Sequence, residues 1–130
     1  MTTLPRSIGA ITLFVTDVSR AKAWYEIVFR LPVMYEDDQS AAFRFDNVII
    51  NLLHIGEASN LVTPAPVADA GAGSGFQLTI WVDDVDAALA DLTASGVTVL
   101  NGPIDRVWGQ RTAAFADPDG HVWEIAQTIG

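Results

Sequence analysis

A strand-and-helix segment occurs twice in this chain of 130 residues, and the repetition limits the folds available to it. Residues 9–24, GAITLFVTDVSRAKAW, align without gaps on residues 76–91, FQLTIWVDDVDAALAD, at a shift of 67. The identical positions of the first copy include Thr12, Val15, Asp17, Val18 and Ala21. These identities could arise by chance between two amphipathic segments. The order of the elements that follow is also shared, however, which favours a duplication.

Each copy begins as a strand and continues as a helix. Residues 11–15 and 78–82 are rich in β-branched and aromatic side chains, which are typical of strands. Asp17 and Asp84 come next, and a carboxylate there can accept hydrogen bonds from the free N–H groups that open a helix. Apolar residues then follow at helical spacing in both copies.

The second halves of the two copies also correspond. Residues 41–53 and 113–126 both indicate strand, turn and strand, and the second turn carries the strong turn sequence DPDG at 117–120. The sequence therefore predicts an α+β fold of two tandem βαβββ modules within a single domain. Module one spans about 5–55 and module two about 76–128, and the Gly-, Pro- and Ala-rich residues 56–75 predict a mobile connector.

Composition excludes several functions. A net charge of -9 argues against nucleic acid and anionic membranes as partners. The same charge slightly favours a cationic ligand, although solubility alone explains it. The absence of cysteine excludes disulfides and thiolate metal sites. The first residues lack a signal peptide, and no apolar run reaches the roughly 20 residues of a membrane span, so we expect a cytoplasmic protein.

Two stretches resemble the vicinal oxygen chelate superfamily, which includes glyoxalase I, extradiol dioxygenases, and fosfomycin and bleomycin resistance proteins. ITLFVTDVSRAKAWYEIVFRLPV resembles its opening, and WGQRTAAFADPDGHVWEIAQ resembles the ending of bleomycin-resistance-like members. The resemblance covers nearly the whole chain. It implies curled sheets around a cavity, usually completed in a homodimer. Arg30 departs from the family, which often has glycine after the first helix.

The resemblance also implies where a metal would be held. The family's ligand positions fall on Ala10, Asn51, Gln77 and Glu124. An alanine has no ligand atom, the two amides are weak neutral ligands, and only Glu124 carries a charge. Because a catalytic zinc takes about three N, O or S ligands plus a water, we expect no metal and no other cofactor.

The two histidines are spaced so that they face away from these positions. His54 lies three residues from Asn51, and His121 lies three residues from Glu124. Side chains alternate across a strand, so an odd separation predicts opposite faces, unless a bulge reverses the alternation. His121 is therefore not expected to partner Glu124, and we expect His54 to pack or cap at its strand end.

Three roles stay open for Glu124. Its carboxylate could contact Arg111 or Gln77 and only satisfy polarity, it could meet a cationic or hydroxylated ligand, or it could act as a general base. Alternation places Thr79 and Trp81 on the face of Gln77. Trp108 precedes Gly109 in a loop that could fold over a pocket. The aromatic rings of these tryptophans could stack on planar or cationic ligands, or could only pack in the core.

The predicted function is metal-independent binding, with sequestration as one use, of a small aromatic or cationic organic molecule, as in bleomycin resistance proteins. Antibiotic resistance is the biological role that this resemblance suggests. The predicted ligand-binding residues are Asn51, Gln77, Thr79, Trp81, Trp108, Arg111 and Glu124, and we expect no catalytic residue. One alternative is a glyoxalase-type metal-dependent lyase or dioxygenase, which would need His54 or His121 turned inward. The other is a non-catalytic scaffold with a vestigial cavity.

Overall fold

The computed structural model describes residues 3–130, which form two compact units within Met1–Val67 and Ala68–Gly130. Each unit contains a four-stranded mixed sheet and a long helix, arranged as strand, helix and three further strands. The predicted α+β fold of two tandem βαβββ modules is therefore confirmed. Within residues 3–130, no helix combines the length and the hydrophobicity needed to cross a bilayer.

The first unit has the strand order β1-β4-β3-β2, in which β1 is parallel to β4 and the other neighbours are antiparallel. Its elements are β1 (Ala10–Val15), α1 (Val18–Phe29), β2 (Tyr35–Glu36), β3 (Ser40–Arg44), β4 (Ile49–His54), a 3-10 turn (Ile55–Glu57) and α2 (Ala58–Val62). The first part of residues 56–75, for which the sequence predicts a mobile connector, therefore contains a 3-10 turn and a short helix. Ala58 is fully buried, and this packing supports a helical turn that composition alone obscures.

The second unit repeats the arrangement in the order β5-β8-β7-β6, again with the first and last strands parallel. Its elements are β5 (Gln77–Trp81), α3 (Val85–Ala94), β6 (Thr98–Arg106), β7 (Gln110–Ala116) and β8 (Val122–Thr128). A parallel pair needs a crossover, and the helix with the two intervening strands supplies it. The repeat in the sequence is therefore a repeat of this whole topology.

The helix termini follow the local sequence. Asp17 accepts a hydrogen bond from the backbone N–H of Arg20 at 3.1 Å, and Asp84 accepts one from Ala87 at 3.1 Å. Both predicted N-caps are therefore confirmed. Arg30 directly follows helix α1 as its C-cap and has φ 53° and ψ 42°. Such left-handed geometry favours glycine, which explains why the family often has glycine at this point.

Each sheet buries large apolar side chains on the face that its helix covers. In the first unit these include Leu13, Val15 and Ile50, and Tyr25 of α1 stacks on Phe43 with ring centroids 6.0 Å apart. In the second unit Phe115 and Trp123 are buried and stack at 6.5 Å. Because side chains alternate in a strand, the remaining residues project from the opposite face, where the predicted site residues Asn51, Gln77, Thr79, Trp81 and Glu124 are found.

Candidate ligand-binding site

Four predicted site residues share one face of the second sheet, which we call the Glu124 face. Thr79 of β5 lies directly opposite Glu124 of β8, and Trp81 lies opposite Ala126. Directly opposed residues project to the same side of a sheet, and Gln77 shares that side with Thr79 and Trp81 by alternation. This face points away from α3, because the buried residues that α3 covers occupy the alternate positions.

Thr79 is the partner of Glu124. The Thr79 hydroxyl donates a hydrogen bond to Glu124 Oε1 at 2.9 Å. The first unit contains the equivalent pair, since Thr12 lies opposite Asn51 and the Asn51 amide donates to the Thr12 hydroxyl at 3.5 Å. The duplication therefore preserves a threonine–polar contact between the parallel strands, with a neutral amide in one copy and a carboxylate in the other.

Arg111 pairs with residues other than Glu124, so the Arg111–Glu124 contact, one of the possibilities that the sequence left open, is not formed. Arg111 Nε donates to Asp105 at 2.7 Å, and Nη1 lies 3.3 Å from Asp86 of α3. Glu124 lies opposite Ala114, three residues from Arg111 in β7, so the two side chains project to opposite faces. The hydrogen bond from Arg111 lowers the pKa of the Asp105 carboxyl below its ordinary value.

Arg106 is the basic residue that sequence reasoning missed. Its Nε donates to the hydroxyl of buried Thr112 at 2.9 Å, and Thr112 lies opposite Ala126 on the Glu124 face. The Arg106 guanidinium also lies 5.8 Å from the ring centroid of Trp108, a cation–π contact. Trp108 in turn donates to Gln110 at 3.0 Å and is 64% exposed. Arg106 and Trp108 thus form one edge of the site face.

A pocket of about 330 Å³ opens at the other edge, where β5 ends. Trp81 forms one wall and is 66% exposed, so its ring face is open to an incoming molecule. The lining residues are Trp81, Val82, Asp83, Ala126, Gln127 and Thr128. Two hydrogen bonds of 2.9 Å fix the segment around Asp83: Val82 N–H donates to the Ala126 carbonyl, and Val85 N–H donates to Gln127 Oε1.

Both histidines have partners other than the predicted site residues. His54 Nδ1 accepts a hydrogen bond from Gly56 N–H at 3.2 Å, which confirms the predicted cap at the end of β4. His121 Nδ1 lies 2.8 Å from Asp117 Oδ2, so its partner is Asp117 and not Glu124, as the alternation predicted. The other oxygen, Asp117 Oδ1, accepts from the backbone N–H groups of Asp119 and His121.

The Asp117–His121 pair makes stability depend on pH. Burial lowers the pKa of His121, but the hydrogen bond and charge of Asp117, with the charge of Asp119, raise it above the ordinary 6.5. The folded-state pKa therefore exceeds that of the unfolded chain. Protonated His121 stabilises the fold fully below about pH 6.5, and the contribution is lost as pH rises through the folded-state pKa.

We expect the free energy of unfolding to decrease across that pH window. Urea titrations at a series of pH values would measure the decrease, and His121→Gln should remove this component. An unchanged pH slope in the variant would contradict the assignment to His121.

The residues at the family's metal positions do not fit a metal. In the first unit, Ala10 has no ligand atom and Asn51 offers only an amide; in the second, Gln77 offers an amide and Glu124 the single carboxylate. Among the residues the structure describes, no three His, Cys, Asp or Glu side chains come together in a group that could hold a metal ion. Since a zinc site needs about three strong ligands, we derive no metal-dependent step.

The tandem βαβββ modules define a class of small α+β proteins. The chain belongs to the Glyoxalase/Bleomycin resistance protein/Dioxygenase superfamily, whose family model matches residues 7–125. This confirms the resemblance found in the opening and closing stretches of the sequence.

Other proteins are similar to this chain in sequence or in structure. The uncharacterised protein YraH of Bacillus subtilis (strain 168) is 34% identical over 123 residues, which cover 92% of this chain and 96% of YraH. A glyoxalase/bleomycin resistance protein/dioxygenase from Nocardioides has a similar structure, with a TM-score of 0.86 and 20% identity over 98% of this chain and 87% of that one. A lactoylglutathione lyase from Agrobacterium tumefaciens has a TM-score of 0.74 and 23% identity over 95% and 94%. Both structural likenesses show the fold alone.

Proposed function

We propose that this protein binds a small aromatic or cationic organic molecule on the Glu124 face, without a metal ion. The observation that carries the proposal is the position of the exposed Trp81 ring beside the Glu124 carboxylate, with Thr79 holding that carboxylate at 2.9 Å. A fixed carboxylate beside an open indole offers charge and stacking to the same ligand.

The shape of the face supports the proposal. Small side chains surround Glu124 and Trp81, because Ala114 lies opposite Glu124 and Ala126 lies opposite Trp81. Two exposed tryptophans, Trp81 and Trp108, lie at the edges of this face. Ligand pockets are typically apolar with few placed polar groups, and the pocket beside Trp81, about 330 Å³, falls within the size range of such sites.

Charge favours a cation over an anion as the ligand. The net charge is -9, and the basic group on this face, Arg106, is already engaged with Thr112 and Trp108. An anionic ligand at Glu124 would face a like charge. The long-range field of the protein would instead raise the local concentration of cations.

Glu124→Gln is expected to weaken the binding of N-methylacridinium, a planar aromatic cation, by about fivefold. A partly exposed charge interaction is worth about 1 kcal/mol, and about 1.4 kcal/mol corresponds to a tenfold change in affinity. Calorimetric or fluorescence titration would give the dissociation constants. Gln keeps the shape of the side chain and can still accept from Thr79, so the fold should be unaffected.

Glu26→Gln is the matched control, because Glu26 is exposed on α1 in the first unit and its replacement changes the net charge equally. We expect it to leave the affinity unchanged. Equal losses in both variants would show nonspecific attraction. A failure of N-methylacridinium to bind or to raise the melting temperature would contradict the proposal and favour the scaffold alternative.

The metal-dependent alternative has its own measurement. Protein purified without chelator should contain well below one divalent ion per chain if the proposal holds. About one ion per chain, lost on Glu124→Gln, would favour a glyoxalase-type enzyme instead. Homodimer formation and protection against an antibiotic stay predictions.

A further inference from the structure

The pocket at the end of β5 combines an aromatic wall with an unpaired carboxylate. We infer that it takes the quaternary ammonium group of an organic cation, held by the Trp81 ring and the Asp83 carboxylate; this rests on the proposed ligand-binding function of the Glu124 face. Trp81, Asp83 and Thr128 all line the pocket. The inference adds a specific chemical group and a second carboxylate to the proposed site.

Three acidic residues, Asp83, Asp84 and Asp86, lie close together in the sequence, and the last two stabilise the local structure. Asp84 caps α3 through Ala87 N–H at 3.1 Å, and Asp86 pairs with Arg111 at 3.3 Å. Asp83 is exposed, and its carboxylate has no hydrogen-bond or ion-pair partner among residues 3–130. Its charge is therefore available to a ligand, whereas the charges of its two neighbours serve the fold.

Trp81 lies between two carboxylates. The Thr79–Glu124 pair lies next to the Trp81–Ala126 pair along the sheet, and Asp83 follows Trp81 by two residues. Among the described residues that line the pocket, one is acidic and none is basic. A cation over the indole would thus have negative charge on both sides, which adds to the attraction of the ring itself.

A quaternary ammonium fits this surface better than a primary amine. Its methyl groups are weakly hydrated and can pack on the apolar parts of Trp81 and Val82, whereas a compact ammonium is strongly hydrated. A primary amine would also want several hydrogen-bond acceptors, and Gln127 Oε1 is already used by Val85 N–H. Recognition of a quaternary ammonium needs an aromatic face and nearby negative charge, which this pocket has.

Choline and its neutral carbon isostere, dimethylbutanol, provide the test on the full chain. The two probes have the same shape and differ in charge. We expect choline to bind about tenfold more tightly and to shift the indole N–H resonance of Trp81 in NMR titrations. The affinity for choline should decrease as salt is added. Trp81→Leu should weaken choline binding about tenfold, and Trp81→Phe should retain part of the affinity.

Asp83→Asn should weaken the affinity for choline about threefold to fivefold and leave the affinity for dimethylbutanol unchanged. Asp91→Asn, an exposed position on α3 with the same change in charge, is the matched control and should have no effect. Both Trp81 and Asp83 are exposed, so an unchanged melting temperature would show that the variants fold.

Equal affinities for the two probes, or equal effects of Asp83→Asn and Asp91→Asn, would overturn the inference. If N-methylacridinium still binds in a Glu124-dependent way, the proposed function stands and only the quaternary ammonium assignment fails. If neither N-methylacridinium nor choline binds, both fail.

Discussion

Asp117→Ala is expected to reduce the free energy of unfolding by about 3–5 kcal/mol, because it removes the carboxylate on which a buried hydrogen-bond network depends. Asp117 is 5% exposed and accepts the backbone N–H groups of Asp119 and His121 at 3.0 and 2.9 Å, while its other oxygen lies 2.8 Å from His121 Nδ1. Alanine would leave those donors without acceptors in the turn that joins β7 to β8. Urea unfolding at constant pH would measure the loss.

Asp69→Ala is the control for this prediction. Asp69 accepts from Gly71 N–H at 3.1 Å, a similar local contact, but it is exposed, so water can replace the lost acceptor. We expect a change of about 0.5 kcal/mol or less. In addition, Asp117→Asn should lower the pKa of His121, because the variant loses the Asp117 charge that opposes the effect of burial. Similar losses for Asp69→Ala and Asp117→Ala would refute the role assigned to burial.

Gly102→Ala is expected to be destabilising by about 3 kcal/mol or more, because the added methyl group has no space. Gly102 lies in the irregular part of β6, where the register with β7 shifts. Its φ is 103°, and a Cβ there would lie 2.6 Å from both Ala113 Cα and the Thr112 carbonyl oxygen. These are backbone atoms, so relief would require the strands to move apart.

Gly96→Ala is the control that separates the cost of steric overlap from the cost of the positive φ. Gly96 also has a positive φ of 82°, but a Cβ there would meet no atom within 4 Å. We expect it to cost only about 1 kcal/mol, which is the effect of the left-handed conformation alone. Chemical denaturation of both variants gives the difference, and a Gly102→Ala loss no larger than that of Gly96→Ala would contradict the close approach of the strands.

Much of the fold could be predicted because the duplicated segment contains its own local signals. Asp17 and Asp84 start the helices, and alternation in β5 placed Thr79 and Trp81 on one face. The DPDG turn also fixes the register of the last hairpin, since Ala116 lies opposite Val122. Counting back from that pair puts Ala114 opposite Glu124, which already places Arg111 on the other face.

The remaining features depend on tertiary contacts that no local pattern records. The helix α2 spans only Ala58–Val62, too short to show helical periodicity, and it depends on the burial of Ala58. Arg106 reaches Thr112 across a strand pair whose register shifts between Asn101 and Ile104, so its face could not be counted from the sequence. The pocket beside Trp81 arises where a strand end meets a helix start.

The two hydrogen bonds that flank Asp83 bear on how a ligand would arrive. Val82 and Val85 are both tied to β8 at 2.9 Å, so the wall of the pocket is set when the sheet forms. Ligand binding would not need to order this segment, so association would avoid an entropic cost and a slow conformational step. The encounter rate of a cation would then depend on ionic strength, while the time it stays bound would depend on the ring and carboxylate that it contacts.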